Sequence, residues 1–258
     1  LPGQDAVIHL ACISNDPSFE LNPELGKSIN LDAFAPMVQI AKKSKVQRFI
    51  YASSSSVYGL KAEKNVTEDV SLEPLTDYSK FKVECEKILK PFNSDDFTTV
   101  TIRPATVCGY SRRQRLDVVV NILTNLAFNK REISIFGGKQ LRPNIHIDDI
   151  LMLEARKDDI SGEVFNVGYD NLSIENIATK VKNIVGEDVK LKTTPTDDNR
   201  SYHISSSKIQ KQLDFLPMFG VDDAIKDLKL AFEKKLLPDS LSNDVYFNIK
   251  RMEKIKLK

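Results

Sequence analysis

Short apolar runs alternate with helical segments along most of this chain, and this alternation restricts the fold more than any other feature. We predict strands near Ala6–Leu10, Arg48–Ala52 and Thr99–Ile102, because each run is apolar or β-branched and of strand length. Helical spacing of apolar residues fills the gaps at Leu31–Lys43 and Tyr78–Leu89. The pattern predicts an α/β fold, a parallel sheet with helices on both faces.

The second half of the chain is less regular and predicts a smaller α/β lobe. Its elements are a helix at Val118–Phe128, a strand at Ile133–Phe136, strands near Glu163–Val167 and Val189–Lys192, and a helix at Ile174–Val185 that ends at Gly186. We therefore divide the chain into a sheet domain at 1–110, a second lobe mainly at 111–235 with segments that return to the first sheet, and a basic tail at 236–258. A charged terminus of this kind is expected to fray.

Composition excludes several classes of protein. The 258 residues are 41% hydrophobic and carry a formal net charge of +1, so charge gives no argument for a nucleic-acid partner or an anionic membrane. The three cysteines form no CxxC pair, and no stretch has the length of a membrane span or the pattern of a signal peptide. We expect a cytoplasmic protein. Because Leu1 is not methionine and a strand follows almost at once, we interpret the chain as a fragment or a processed start.

The strongest chemical feature is Tyr78-Ser-Lys-Phe-Lys82, in which a phenol and an ammonium lie on one face of a helix. A nearby cation lowers the pKa of a phenol and lets it exchange a proton with a hydroxyl. The pair alone is weak evidence, since Tyr246 and Lys250 have the same spacing. Its position adds weight, because the serines at 53–56 follow a predicted strand, where ligands of such sheets bind. A polar turn is the alternative explanation for those serines.

Several blocks occur together in a characteristic order. They are His9-Leu-Ala11, Asn30, Ser53-Ser-Ser-Ser-Val-Tyr-Gly59, Tyr78-Ser-Lys-Phe-Lys82, Arg103-Pro104, Ile135-Phe-Gly137, Arg142-Pro-Asn-Ile-His-Ile-Asp-Asp149 and Phe165-Asn-Val-Gly168. In this order and spacing the chain, up to about Leu216, resembles the NAD-dependent epimerase/dehydratase family of extended short-chain dehydrogenases/reductases. The resemblance implies a doubly wound, Rossmann-type parallel sheet, truncated at its N-terminal side, with a smaller substrate lobe.

The resemblance also implies roles for individual residues. Tyr78 would be the catalytic base, Lys82 would tune it and hold the nicotinamide ribose, and Ser54 would orient the substrate. The cofactor NAD, with NADP left open, would contact Leu10, Ala11, Cys12, Ile13, Ser14, Asn30, Ser53, Tyr78, Lys82 and Ala105. The substrate, a nucleotide-diphosphate sugar, would contact Ser54, Thr106, Arg142 and Arg200, since a guanidinium suits a diphosphate. The resemblance further implies a homodimer formed through the helices at Leu31–Lys43 and Tyr78–Leu89.

Two departures from the family pattern qualify these expectations. The Gly-rich GxxGxxG loop that binds the cofactor pyrophosphate has no counterpart in the sequence, so we expect this chain to hold a dinucleotide weakly. Ser55 and Ser56 stand where the family's dehydratases carry an acidic pair.

The resulting hypothesis is a nucleotide-sugar epimerase that transiently oxidises a ring hydroxyl, with C4 the expected position. The alternatives are a reductase, dehydrogenase or dehydratase of the same family, and a non-catalytic cofactor-sensing or scaffolding relative. The three histidines are far apart in sequence, so no metal site is expected.

Overall fold

The computed structural model describes residues 3–63, 65–151, 160–196 and 201–257. The strands are Ala6–His9 (β1), Arg48–Ala52 (β2), Thr98–Pro104 (β3), Thr106–Cys108 (β4), Glu132–Phe136 (β5), Leu141–His146 (β6), Val164–Val167 (β7), Asp170–Ser173 (β8) and Lys190–Thr194 (β9). The helices are Asp16–Glu20 (α1), Pro23–Lys27 (α2), Phe34–Lys43 (α3), Asp77–Leu89 (α4), Val119–Lys130 (α5), Ile147–Leu151 (α6), Ile174–Val185 (α7), Ser207–Leu213 (α8), Val221–Glu233 (α9) and Asn248–Lys254 (α10).

The main sheet has the strand order β1-β2-β3-β7, and all its strand pairs are parallel. In β2 the side chains alternate between the two faces, so that Phe49 and Tyr51 pack on one side and Ile50 on the other. The parallel sheet confirms the predicted α/β class. β7 joins this sheet from the second half of the chain.

Both faces of the main sheet are covered. On one face Phe34 of α3 and Leu89 of α4 form a core with Phe49 and Phe97. On the other, Ile209 of α8 packs in a cluster that includes Phe165. Burial on both faces explains why the strands are rich in β-branched and aromatic residues, as a parallel sheet requires.

The second lobe is a helical layer against short strands. Residues of α5, α7 and α9 form one core, which includes Leu123, Val181 and Ile225, with Ile133 of β5. β5 pairs with β9 in parallel, and β4, β6 and β8 form a separate three-stranded sheet. Because β4 follows β3 after one residue, this small sheet lies next to the carboxyl end of the main sheet.

The C-terminal segment is ordered where the sequence predicts a frayed tail. α10 buries Met252 in a cluster with Ile13 and Phe19, and Tyr246 packs with Leu116. Lysines dominate the composition of the segment, but Leu237, Tyr246 and Met252 are buried against the rest of the protein. Among the described residues, no helix is long and apolar enough to cross a bilayer.

Candidate active site

A cavity of about 610 Å³ opens at the carboxyl ends of the main strands. Parallel strands end at the same edge, so the loops after β1, β2 and β3 meet there. Ser54 and Tyr78 line the cavity from the main sheet, and Thr106, Arg115 and Arg142 line it from the second lobe. The cavity therefore brings both halves of the chain together around a single space.

Tyr78 and Lys82 occupy one face of the first turns of α4. Thr76 caps the N-terminus of the helix, and its hydroxyl accepts a hydrogen bond from the backbone N–H of Ser79. Lys82 is only 6% exposed, its Nζ donates to the carbonyl of Ala52 at 2.7 Å, and it lies 5.7 Å from the centre of the Tyr78 ring. The ammonium points inward toward the end of β2 and not into bulk water.

Ser54 lies beside the phenol. It follows β2 in extended conformation and lines the same cavity as Tyr78, and its hydroxyl acts to lower the pKa of that phenol. The preceding Ser53 is buried and turns the other way, since its hydroxyl donates to Glu86 at 2.5 Å. The structure thus brings Ser54, Tyr78 and Lys82 together, as the sequence predicts, and places Ser53 beneath them.

Burial is the main influence on Tyr78 and raises its pKa above the ordinary value for a phenol. Cys12 and the Asp16 carboxylate raise the pKa further, whereas the Arg115 charge and the Ser54 hydroxyl lower it. The sequence predicts Lys82 as the tuning cation, but the structure adds Arg115, from the other lobe, as a cation that acts on the phenol. No sequence pattern singles out Arg115.

A buried polar network lies under the serines. The Arg103 guanidinium pairs with both oxygens of Glu86 and donates to the Tyr58 hydroxyl at 2.8 Å, and that hydroxyl donates to Asn166 at 2.7 Å. Burial works against the charge of Arg103, but Glu86 outweighs it and raises the pKa of the guanidinium. Sequence reasoning missed Glu86, although its spacing of four residues from Lys82 puts it on the same helix face.

Comparison with known families settles the class of protein. The profile of the NAD dependent epimerase/dehydratase family matches residues 2–168. The chain belongs to this family. The predicted resemblance is therefore confirmed, and its Rossmann-type fold agrees with that of solved members.

Relatives of the chain include both epimerases and dehydratases. It is 30% identical over 200 residues to a Bacillus subtilis protein described as an uncharacterized UDP-glucose epimerase. The aligned region covers 74% of this chain and 62% of that protein. It is 25% identical over 234 residues to a dTDP-glucose 4,6-dehydratase of Streptomyces griseus, covering 87% and 70%. The crystal structure of a UDP-glucuronic acid 4-epimerase from Bacillus cereus with UDP-glucuronic acid and NAD superposes with a TM-score of 0.77 at 25% identity, covering 90% and 76%.

Family membership makes NAD the expected cofactor, and Lys82 offers a physical test of the fit. An ammonium has three N–H donors, yet among the described residues its only hydrogen-bond acceptor is Ala52 O. The vicinal hydroxyls of a ribose would satisfy the remaining donors. At the end of β1, Leu10 and Ala11 are exposed, and Cys12 and Ser14 are partly exposed. These residues fit the nicotinamide ribose end of a dinucleotide.

Asn30, Ile13 and Ala105, which were also assigned to the cofactor, are buried beneath the loop after β1 and the cavity. The Asn30 amide is bonded twice to the backbone of Ile13, at 2.8 and 2.9 Å, and both residues are buried. Ala105 is buried at the junction of β3 and β4. Their geometry fixes the loop after β1 and the floor of the cavity.

Of the residues assigned to the nucleotide sugar, some line the cavity and one lies outside the described residues. Thr106 and Arg142 line the cavity, and the Arg142 guanidinium lies over the Tyr202 ring, 5.7 Å from its centre. Arg200 lies outside the described residues. Arg113 also lines the cavity and adds a positive charge that sequence reasoning missed.

Among the described residues, one cluster of potential metal ligands lies in the second lobe and consists of His146, Asp148 and Asp227. Nδ1 of His146 accepts the backbone N–H of Asp148, so the ring proton belongs on Nε2, which faces Asp227 at 3.2 Å. A nitrogen that carries a proton offers no lone pair to a cation. The donor set therefore favours an interaction between imidazole and carboxylate over a metal site.

Proposed function

We propose that this chain forms the catalytic centre of a nucleotide-sugar epimerase that acts by transient oxidation of a ring hydroxyl, at C4 of the sugar. The observation that supports this most is the convergence of Ser54, Tyr78 and Lys82 at the end of β2. A phenol, a hydroxyl and an ammonium around one space are suited to removing a proton from an alcohol.

In the proposed mechanism Tyr78 accepts the proton of the sugar hydroxyl while Ser54 hydrogen-bonds the same oxygen. NAD, when bound, supplies the hydride acceptor and donor. Lys82 favours the ionised phenol and holds the ribose. After the sugar has presented its other face, Tyr78 returns the proton to the oxygen, and the stereocentre is inverted.

The second lobe binds the substrate in this proposal. Arg142 and Arg113 offer guanidinium groups at the cavity wall, and a diphosphate is a good bidentate partner for such groups. Thr106 faces the same space from β4. The expected ligand is therefore a nucleotide-diphosphate sugar whose diphosphate lies on the second lobe and whose sugar reaches Tyr78.

A dehydratase is less well supported. Removal of water from the sugar needs a group that protonates the departing hydroxyl. Ser55 is buried and the Ser56 hydroxyl is bonded to other serines, and neither has the acidity of a carboxyl group. The residues at these positions favour an enzyme that only moves a hydride and a hydroxyl proton.

The test is an assay of this chain with NAD and UDP-glucose or UDP-galactose, with products separated by chromatography. Conversion that is abolished by Tyr78→Phe, with the melting temperature unchanged, supports the proposal. Conversion that persists in Tyr78→Phe would remove the phenol from the mechanism. Net accumulation of NADH would indicate a dehydrogenase, because an epimerase restores its cofactor in each turnover.

We also propose that the protein pairs through α3 and α4. Ile40 on α3 is 55% exposed, although it belongs to an amphipathic helix beside α4. Sedimentation should then show a dimer, and Ile40→Glu should shift it to a monomer. A monomer in the unaltered protein would contradict the pairing.

A further inference from the structure

The loop at 109–118, between β4 and α5, carries two of the arginines that line the cavity, Arg113 and Arg115. We call it the arginine loop. Long side chains on a loop have many conformations open to them, and ordering them costs free energy. A binding site built on this loop therefore gains from contacts that reach it from another part of the protein.

The start of α10 supplies such contacts to the loop backbone. The N–H of Leu116 donates to the carbonyl of Tyr246 at 2.8 Å, and the Leu116 side chain is buried in a cluster with Tyr246. The backbone N–H of Asn248 donates to Asp117 Oδ2 at 2.9 Å. The same carboxylate accepts a hydrogen bond from Nε of Arg115. The C-terminal segment thus fixes the end of the arginine loop.

The Asn248 side chain makes two further hydrogen bonds, one to each side of the cavity. Arg113 Nη2 donates to Asn248 Oδ1 at 3.2 Å, and Asn248 Nδ2 donates to the Ser14 hydroxyl at 2.9 Å. A guanidinium can only donate, so the amide oxygen faces Arg113 and the NH₂ group is left for Ser14. The chemistry of the two partners therefore fixes the orientation of the amide.

Ser14 gives this amide a firm anchor. It lies in the loop after β1, next to Ile13, whose backbone is bonded twice to the Asn30 side chain at 2.8 and 2.9 Å. Ile13 is buried, and Met252 of α10 packs in the same cluster. Asn248 thus joins a loop that is fixed to the main sheet to the loop that carries Arg113.

The Arg113 guanidinium keeps most of its donors for a ligand. Among the described residues, its only hydrogen-bond acceptor is Asn248 Oδ1. A guanidinium has five N–H groups, so several remain for an anion in the cavity. A group that is already held on one side loses less conformational freedom on binding, and this favours affinity.

We propose that Asn248 is a positioning residue for substrate binding, whose amide holds the Arg113 guanidinium where the diphosphate of the nucleotide sugar binds. The inference rests on the proposed function, since it explains how one guanidinium of that binding site is oriented. Asn248 is not among the described residues that line the cavity, so it acts through Arg113.

The experiment measures the affinity for UDP by isothermal titration calorimetry, with dTDP as a second probe if UDP does not bind. Asn248→Ala removes both side-chain hydrogen bonds and keeps the backbone N–H that holds Asp117. We expect the dissociation constant to rise roughly threefold to tenfold, the usual effect of losing one hydrogen bond. With UDP-glucose as substrate, KM should rise by a similar factor and kcat should stay nearly unchanged, because the diphosphate is bound equally in the ground and transition states.

A double-mutant cycle shows whether Asn248 acts through Arg113. Arg113→Ala should weaken UDP binding at least as much as Asn248→Ala does. In the Arg113→Ala background, Asn248→Ala should then cause no further loss, because the group that it positions is already gone. If the amide only stabilised the fold, the loss would be the same in both backgrounds.

Asn243→Ala is the matched control. Asn243 belongs to the same C-terminal segment, and among the described residues its side chain bonds only the backbone N–H of Val245. UDP affinity should therefore stay unchanged. Melting temperatures show whether each variant folds. If Asn248→Ala does not fold, Asn248→Ser keeps a polar side chain at the start of α10 but is too short to join both partners, and it should show the same loss.

The outcomes separate the positioning role from the proposed function. Unchanged UDP affinity in Asn248→Ala, losses that add in the double variant, or an equal loss in Asn243→Ala would each overturn the positioning role and leave the epimerase proposal intact. Absence of binding of both nucleotides to the unaltered chain would instead refute the nucleotide-sugar substrate, and the positioning role with it.

Discussion

The Glu86 carboxylate holds the Arg103 guanidinium with both oxygens, at 3.0 Å to Nε and 2.6 Å to Nη2. The two side chains are 9% and 5% exposed, and the pair lies directly under Ser53, which donates to the same carboxylate. A buried charge depends on its partner, because loss of either one leaves the other unpaired in a medium that solvates it poorly. The ion pair therefore forms the floor of the candidate site.

Glu86→Ala should lower the free energy of unfolding by about 3–5 kcal/mol, the usual effect of breaking a buried ion pair. Urea denaturation monitored by circular dichroism measures this. Glu84→Ala is the matched control, since Glu84 lies on the same helix in an exposed pair with Lys87, and it should cost less than about 1 kcal/mol. Equal losses in the two variants would show that the pair has no special role.

Arg115→Gln should change the pH dependence of activity. The guanidinium favours the ionised phenol and so lowers the pKa of Tyr78, against the larger effect of burial. Its removal raises that pKa, and the rise of kcat/KM with pH should move to higher pH. Arg112→Gln, an exposed position in the same loop, should leave the profile in place. An unchanged profile in Arg115→Gln would contradict the assignment of Arg115 as a tuning cation.

Met252→Ala should detach α10 from the loop after β1. Met252 is buried against Ile13 and Phe19, and Asn248 of the same helix donates to the Ser14 hydroxyl at 2.9 Å. Loss of a buried methionine side chain costs about 2–5 kcal/mol, enough to open a short terminal helix. Hydrogen exchange followed by mass spectrometry should show faster exchange at 248–254 and in the loop. Glu253→Ala, on the exposed side, should not, and protection that survives Met252→Ala would refute the docking role.

His9 should make stability depend on pH near neutrality. Burial, with a smaller contribution from the Lys82 charge, lowers the pKa of His9 below 6.5 in the folded state. The unfolded chain then binds the proton more readily, so this contribution to stability is present above pH 6.5 and is lost as the pH falls through 6.5 toward the folded pKa. The free energy of unfolding should be lower at pH 5.5 than at pH 7.5, and His9→Gln should reduce the difference. The same difference in both proteins would place its origin elsewhere.

Local sequence patterns predicted elements whose burial repeats regularly. The strand at Arg48–Ala52 and the helix at Ile174–Val185 have the predicted bounds, because period-two and 3.6-residue spacing of apolar side chains survive in the folded protein. The helix expected from Leu31 begins instead at Phe34, after a wider turn over Ser28–Asp32. The strands β4, β6 and β8 were not predicted, because β4 has only three residues and β6 and β8 carry polar residues or proline where an apolar run would indicate a strand.

The residues of the candidate site also fall into those that the sequence could predict and those that it could not. Ser54, Tyr78 and Lys82 could be placed together from the sequence, because each follows a recognisable strand end or helix start and parallel strands end at one edge. Arg115, Asp16 and Glu86 could not, since each acts through a partner that is distant in sequence or hidden on a helix face. The ordered α10 was missed because a lysine-rich composition masks the few side chains that it buries.

The sequence by itself determined the α/β class, the family and the edge of the sheet at which the chemistry gathers, because local periodicity and motif order are properties of contiguous residues. Only the tertiary structure decided which charge acts on Tyr78 and what lies under Ser53. Those contacts join segments that meet only after the helices have packed on the sheet, and their energies depend on distances and burial that no stretch of sequence contains.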